Sequence, residues 1–218
     1  MIQSFDQSSI SAPIGARVPY VLAVVGMCGA GKSAVVRAAR LHTDFFEVYF
    51  GGVVLAELDQ LGLSHNQANE AAVRERLRSD GGLAVLAAKS LPGIRSSFFA
   101  GQSVLIDGLY SYSELKLLRQ HLGRSLHLLA VHAPRALRAA RLGTRPKRPL
   151  TIEQMDQRDQ REIETLEKGP PIALADFHIV NDGNVQSLER AVSTVLDSIR
   201  FNLQADYQSN EYSRERLA

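Results

Sequence analysis

The chain has little cysteine, little net charge and no long apolar run, and each shortage removes a class of protein. The single cysteine, Cys28, excludes a disulfide framework and a zinc site built on paired cysteines, and it suits a reducing compartment. Twenty-five Lys and Arg against 23 Asp and Glu leave +2, too little to argue for a nucleic-acid partner from bulk charge. The longest uncharged stretch, Val18 to Gly31, is 14 residues with three glycines, short of the ~20 that a membrane-spanning helix needs. No positive charge precedes Arg17, so no secretory signal is expected. The six histidines show no H-x3-H or HExxH spacing, which gives no transition-metal site. A guanine-reading N/TKxD tetrapeptide is missing too, so a GTPase switch is not expected. With 45% hydrophobic and 22% charged residues, what remains is an ordinary cytoplasmic globular protein.

What is present is an alternation. Tyr20–Val25 is short and continuously apolar, the mark of a strand covered on both faces. Similar runs follow at 103–106, 126–131 and 177–180, with a weaker one at 45–50. Helical periods fill the gaps, at 32–42, 53–61, 67–77, 83–90, 112–122, 134–142, 151–168 and 185–201. Thr151 with Gln154 is a capping-box signature, and Pro134 suits a first helical position. Strand–helix alternation implies an α/β fold with a parallel sheet between helices. We expect a flexible leader over 1–17, one domain over 18–202 and a polar, frayed tail over 203–218, with no internal repeat.

The chemistry starts after the first strand. Gly26-Met27-Cys28-Gly29-Ala30-Gly31-Lys32-Ser33 fits G-x4-G-K-[ST], the Walker A or P-loop pattern, and opens the first helix. Its glycines let backbone N–H groups turn inward around an anion, and a helix N-terminus adds partial positive charge. Lys32 reaches the β- and γ-phosphates, the Ser33 hydroxyl suits Mg²⁺, and Gly26, Gly29, Ala30, Gly31 and Ala34 complete the cradle. Cys28 reads as a small residue that fits the loop. Val104-Leu105-Ile106-Asp107 places a carboxylate at the carboxyl edge of the sheet, where ligands bind in such folds. Asp107 there either holds metal-bound water or substrate, or caps the turn at Gly108.

Arginines discriminate further. Arg135, Arg138, Arg141 and Arg145 recur every three or four residues, Lys147 and Arg148 follow, and the next helix adds Arg158 and Arg161. Phosphoryl transfer spreads charge over the γ-oxygens, so a catalyst without a partner protein needs its own cations there. The alternative for these residues is a solvated basic face. Arg74 and Arg78, four apart, suit an acceptor phosphate, whereas Glu70 and Glu75 offer them local ion pairs instead. His132 follows the fourth strand and reads as a hydrogen-bonded loop histidine.

These residues together resemble the P-loop nucleoside-monophosphate-kinase-like proteins, closest to an archaeal nucleotide-kinase-like group related to dephospho-CoA kinase. The resemblance covers about 20–201. It rests on the P-loop, Phe50-Gly51-Gly52-Val53-Val54, Leu105-Ile106-Asp107-Gly108, Ala130-Val131-His132-Ala133-Pro134, Arg158-Asp159-Gln160-Arg161-Glu162, and Ala173-Leu174-Ala175-Asp176-Phe177-His178-Ile179-Val180-Asn181-Asp182-Gly183. It implies a three-layer α/β/α sandwich around a five-stranded parallel sheet of order 2-3-1-4-5. An acceptor-binding helical segment would occupy about 51–95 and a lid about 141–160. ATP and Mg²⁺ are implied as cofactors, Arg141 and Arg145 match a lid arginine pair, Arg158 matches a second lid arginine, and Asn181 falls in the loop that lies against adenine. Gly51-Gly52 depart from the pattern, because relatives carry an acid there; Glu57 and Asp107 are the nearby acids. The expected activity is transfer of the ATP γ-phosphoryl to a nucleotide-like acceptor, a nucleoside monophosphate or a dephospho-CoA-like molecule. The alternative is a nucleotide-binding regulatory protein with weak or no kinase activity. The expected partner is a small-molecule nucleotide substrate, not a membrane or nucleic acid, for a monomer or homodimer.

Overall fold

A computed structural model describes residues 18–146 and 148–215, with side chains through Asp206. The leader expected over 1–17 and the end of the tail at 216–218 lie outside the described residues. The elements run β1 (Val21–Val25), α1 (Lys32–Arg40), β2 (Phe46–Tyr49), α2 (Phe50–Gln60), α3 (Gln67–Gly81), α4 (Val85–Phe99), β3 (Val104–Asp107) and α5 (Tyr112–Leu122). They continue with β4 (Leu126–His132), α6 (Arg135–Gly143), α7 (Ile152–Glu164), α8 (Gly169–Ala173), β5 (Phe177–Val180) and α9 (Val185–Glu215). The strands form one parallel sheet of order β2-β3-β1-β4-β5. Both the order and the layering are those expected from the sequence.

β1 lies in the middle because every one of its side chains is apolar and fully buried. Val21, Ala23 and Val25 enter a core shared with α2, α3, α4 and α5, while Leu22 and Val24 enter a second core with α1 and α9. A strand that must be buried on both faces cannot sit at an edge. No described helix is long and apolar enough to cross a membrane.

Several helices differ from their expected bounds, α3 among them in running on to Gly81. α2 starts at Phe50, not 53, since Phe50, Val54 and Leu58 form one buried stripe spaced by four. α4 continues through Pro92 to Phe99. A proline inside a helix forfeits a hydrogen bond, at roughly 3 kcal/mol, and the burial of Ile94 and Phe98 beyond it offsets that loss. α9 runs on to Glu215, past the end expected near 201; a helix already nucleated by packing propagates cheaply. The helix expected over 151–168 instead stops at Glu164. Glu167 then adopts φ 52, and the chain doubles back so that the Lys168 N–H donates to the Glu162 carbonyl at 3.0 Å.

Candidate functional site

The carboxyl ends of β1, β3, β4 and β5 share one edge of the sheet, and the loops leaving them enclose a cleft of about 490 Å³. Its floor is the P-loop. Gly31 caps α1 at φ 101, ψ 24, and a Cβ there would lie 2.0 Å from the Asn181 amide nitrogen. Only glycine meets both demands. Lys32 Nζ donates to the Gly26 carbonyl at 2.8 Å and the Met27 carbonyl at 3.2 Å. Burial first, then the neighbouring Lys168 ammonium, pull the Lys32 pKa down to about 8, against the opposing pull of Glu162, Cys28 and Asp107. Ser33, on the first turn of α1, is exposed to the same space.

Of the residues singled out in the sequence, Gly29, Gly31, Lys32, Ser33, Ala34, Asp107, Arg141, Arg145, Arg158 and Asn181 all line this cleft. Gly26 and Ala30 lie beneath it and shape it. The Ala30 carbonyl accepts from Asn181 Nδ2 at 2.9 Å and from Arg141 Nη1 at 3.4 Å, joining the P-loop to β5 and α6. Asp107 ends β3 beside Tyr49 in register. Burial raises its pKa, with Lys32 opposing. Among the described residues its carboxylate takes no hydrogen bond from the turn at Gly108. One exposed hydroxyl and one carboxylate on a shared cleft fit a cation that keeps water and phosphate oxygens as its other ligands, which is the habit of Mg²⁺. No cluster of three or more His, Cys, Asp or Glu suited to a tighter metal cage occurs among the described residues.

The arginine series divides in two. Arg141, Arg145 and Arg158 face the cleft, Arg158 while bonded through Nε to Glu162, whereas four others are bound to carboxylates outside it. Arg135 pairs with Asp156 and Arg138 with Asp159, the latter also donating to the Cys28 carbonyl at 3.0 Å. Arg148 forks onto Glu70 at 2.7 and 3.2 Å, and Arg161 reaches Glu75 at 3.2 Å. Neither single description of the whole run, catalytic or solvated, applies to all of it. Glu70 and Glu75 turn to the 144–164 region, not to their own helix; Arg74 keeps only a 3.9 Å approach to Glu70. Arg74 and Arg78 do not line the cleft, and Arg78 is mostly buried near Glu114. Glu57 is taken by Arg76 at 2.6 Å, so Asp107 is the acid facing the cleft. Gly51 lies under the Tyr49 ring, 2.2 Å from where its Cβ would be. His132 is hydrogen bonded to His178 at 3.0 Å, and Cys28 packs with Leu142 and Met155.

Several lining residues carry no motif in the sequence: Arg37, Tyr49, Tyr110, Asn184, Val185 and Leu188. Glu114, buried outside the lining, is legible as the fourth residue of Ser111-Tyr112-Ser113-Glu114, a second capping box. Its Oε2 accepts from the N–H groups of Tyr110 at 2.6 Å and Ser111 at 2.9 Å, bracing the loop that follows Asp107. Its Oε1 is buried without a hydrogen-bond partner among the described residues. Burial raises the Glu114 pKa from 4.5 to about 7, with those N–H groups and Arg78 opposing. The folded chain therefore holds a proton that the unfolded chain has already lost, and stability falls as pH rises through that window. Relative to Glu114→Gln, the wild type should lose about 3 kcal/mol of unfolding free energy between pH 4.5 and pH 8. Urea unfolding of both proteins at the two pH values measures it; a constant difference contradicts it.

The fold is the three-layer P-loop fold, and solved small-molecule kinases share it. A gluconokinase from Sinorhizobium meliloti superposes with a TM-score of 0.56 at 16% identity, over 87% of this chain and 98% of the other. A shikimate kinase from Bacteroides thetaiotaomicron gives 0.54 at 12%, over 83% and 98%. The chain belongs to the UPF0200 family of archaeal proteins: it is 33% identical over 169 residues to the UPF0200 protein of Aeropyrum pernix, covering 78% of this chain and 88% of that one. It is 32% identical over 181 residues to that of Thermococcus onnurineus, covering 82% and 97%. No protein-family model matches. The archaeal group expected from the sequence is thus the one to which the chain belongs.

Proposed function

We propose that the protein is a small-molecule kinase that moves the γ-phosphoryl of ATP onto a nucleotide-like acceptor, a nucleoside monophosphate or a dephospho-CoA-like molecule. The observation that carries this is the convergence of Lys32, Asp107, Arg141, Arg145 and Arg158 on one cleft above a helix N-terminus. Such transfer needs positioning and charge neutralisation more than covalent chemistry. In this reading the P-loop amides and Lys32 hold the β- and γ-phosphates. Mg²⁺, held by Ser33 with Asp107, would supply neutralisation of the phosphate oxygens. Arg141 and Arg145 approach from α6 and the segment after it, and Arg158 from α7, to face the transferring group. Asn181, Asn184, Val185 and Leu188 form the wall suited to the adenine. Asp107, with no hydrogen bond of its own among the described residues, is placed to orient the acceptor hydroxyl or phosphate. Arg74 and Arg78, outside the cleft in this structure, would meet a long acceptor from α3.

The test is purified protein with Mg-ATP and a panel of nucleoside monophosphates, dephospho-CoA and neutral polyols, with ADP measured. Phosphorylated product from a nucleotide-like acceptor is the expected result, and product from polyols alone rejects the acceptor class. A second reading, a nucleotide-binding regulatory protein, draws on Gly51-Gly52 and on Glu57 being tied to Arg76. Tight ATP binding with no ADP above background would favour it.

A further inference from the structure

Behind the cleft lies a pair of opposite charges that the phosphate-binding argument does not use. The Lys168 side chain is completely buried, and its Nζ donates to Glu162 Oε2 at 2.7 Å. The same ammonium lies 4.3 Å from the centroid of the Tyr110 ring. Glu162, only 5% exposed, accepts from Arg158 Nε at 3.0 Å through its other oxygen. Arg158 is the outermost of the three at 43% exposure, and its Nη groups have no protein partner among the described residues.

Burying an ammonium and a carboxylate is costly, and such a pair adds little net stability compared with apolar residues of the same size. The turn that delivers Lys168 is also strained. Glu167, a residue with a side chain, sits at φ 52, a conformation that costs on the order of 1 kcal/mol or more and persists only where surroundings enforce it. Charge accounting supplies the purpose. Without Lys168, the buried Glu162 carboxylate would have Arg158 as its nearest cation, and an arginine beside a lone carboxylate turns its planar fork onto both oxygens. With Lys168 in place, Glu162 is already neutralised and needs only the single Nε–H bond. That bond fixes the guanidinium while its Nη edge and its net charge stay available to the cleft.

We infer that Lys168 is a positioning residue: by neutralising Glu162 from below, it keeps the Arg158 guanidinium free and aimed at the phosphates. The functional half of the inference rests on the kinase reading; the structural half does not. The relay also explains why the chain abandons helix at Glu164, since a helix continued through 168 would point this side chain elsewhere.

Two measurements separate the halves. In crystals of Lys168→Met without nucleotide, Arg158 is expected to close onto Glu162 with two nitrogens; an Arg158 still bonded through Nε alone overturns the inference. In calorimetry with Mg-ATP and Mg-ADP, K168M should lose roughly tenfold in ATP affinity while ADP affinity stays within about twofold, because Arg158 faces the terminal phosphate. Arg158→Ala should show the same loss, and adding K168M to it should change the ATP-to-ADP ratio no further. If K168M alone does not fold, K168M/E162Q removes both buried charges and leaves a neutral amide oxygen to accept from Arg158 Nε. That double variant should keep the wild-type ATP preference, and its loss overturns the inference. A ratio unchanged in folded K168M does the same. A wild-type protein that binds neither nucleotide removes the kinase reading, and the Arg158 geometry then decides the role of Lys168 by itself.

Discussion

Lys32→Ala is expected to lower phosphoryl transfer at least about a hundredfold, the usual loss when one well-placed donor to a developing charge is removed. The fold should survive. Lys32 sits at the start of α1, belongs to neither main core cluster, and makes its hydrogen bonds to the P-loop carbonyls of Gly26 and Met27. Its replacement also removes an ammonium that burial and Lys168 already disfavour. Circular dichroism together with ADP release in the acceptor assay measures both halves. Turnover near the wild-type level, in a folded variant, would refute Lys32 as the phosphate-holding cation.

Gly26→Ala should be still more damaging, and for a different reason. Gly26 has φ 151, and a Cβ there would lie 2.3 Å from the Val131 carbonyl oxygen on β4. The obstruction is backbone of a central strand, so no side-chain rotation relieves it. Either β1 and β4 separate or the P-loop leaves its place. We expect a loss of about 2–4 kcal/mol in stability and nucleotide affinity reduced beyond roughly a hundredfold. Gly62→Ala is the matching control. Gly62 also has a positive φ, 66°, but nothing lies within 4 Å of its would-be Cβ, so about 1 kcal/mol is expected there. Denaturant melts and calorimetry on the pair distinguish obstruction from backbone strain; equal effects would discard the Val131 contact as the cause.

Both predictions concern residues recognisable in the sequence, because the P-loop is local. A glycine-rich turn between a strand and a helix can be read from one stretch of chain, and so can a strand ending in Asp107. The arginines were different. Their spacing after β4 marked a basic region, yet Arg138 and Arg141 look alike in sequence. Arg138 is held by Asp159 and the Cys28 carbonyl, and Arg141 is not bound to any acid among the described residues. Charge pairing across elements assigns one to structure and the other to the cleft. Likewise Glu70 and Glu75 looked like local partners of Arg74 and Arg78 but turn to Arg148 and Arg161. Lys168 was hidden inside an apparently continuous helical period.

From the sequence by itself follow the five strands, the burial of β1, β3 and β4 though not of the largely exposed edge strands β2 and β5, the order of the sheet through family resemblance, and the anion-binding turn. These depend on hydrophobic period and on glycines at fixed offsets, which act over a few residues. The tertiary structure decided which cations face the cleft, that Asp107 and not Glu57 faces it too, and that the chain reverses at Glu167 to bury Lys168 against Glu162. Those outcomes depend on carboxylates and carbonyls brought close from distant positions, and a charge is free or spent only with respect to its neighbours in space.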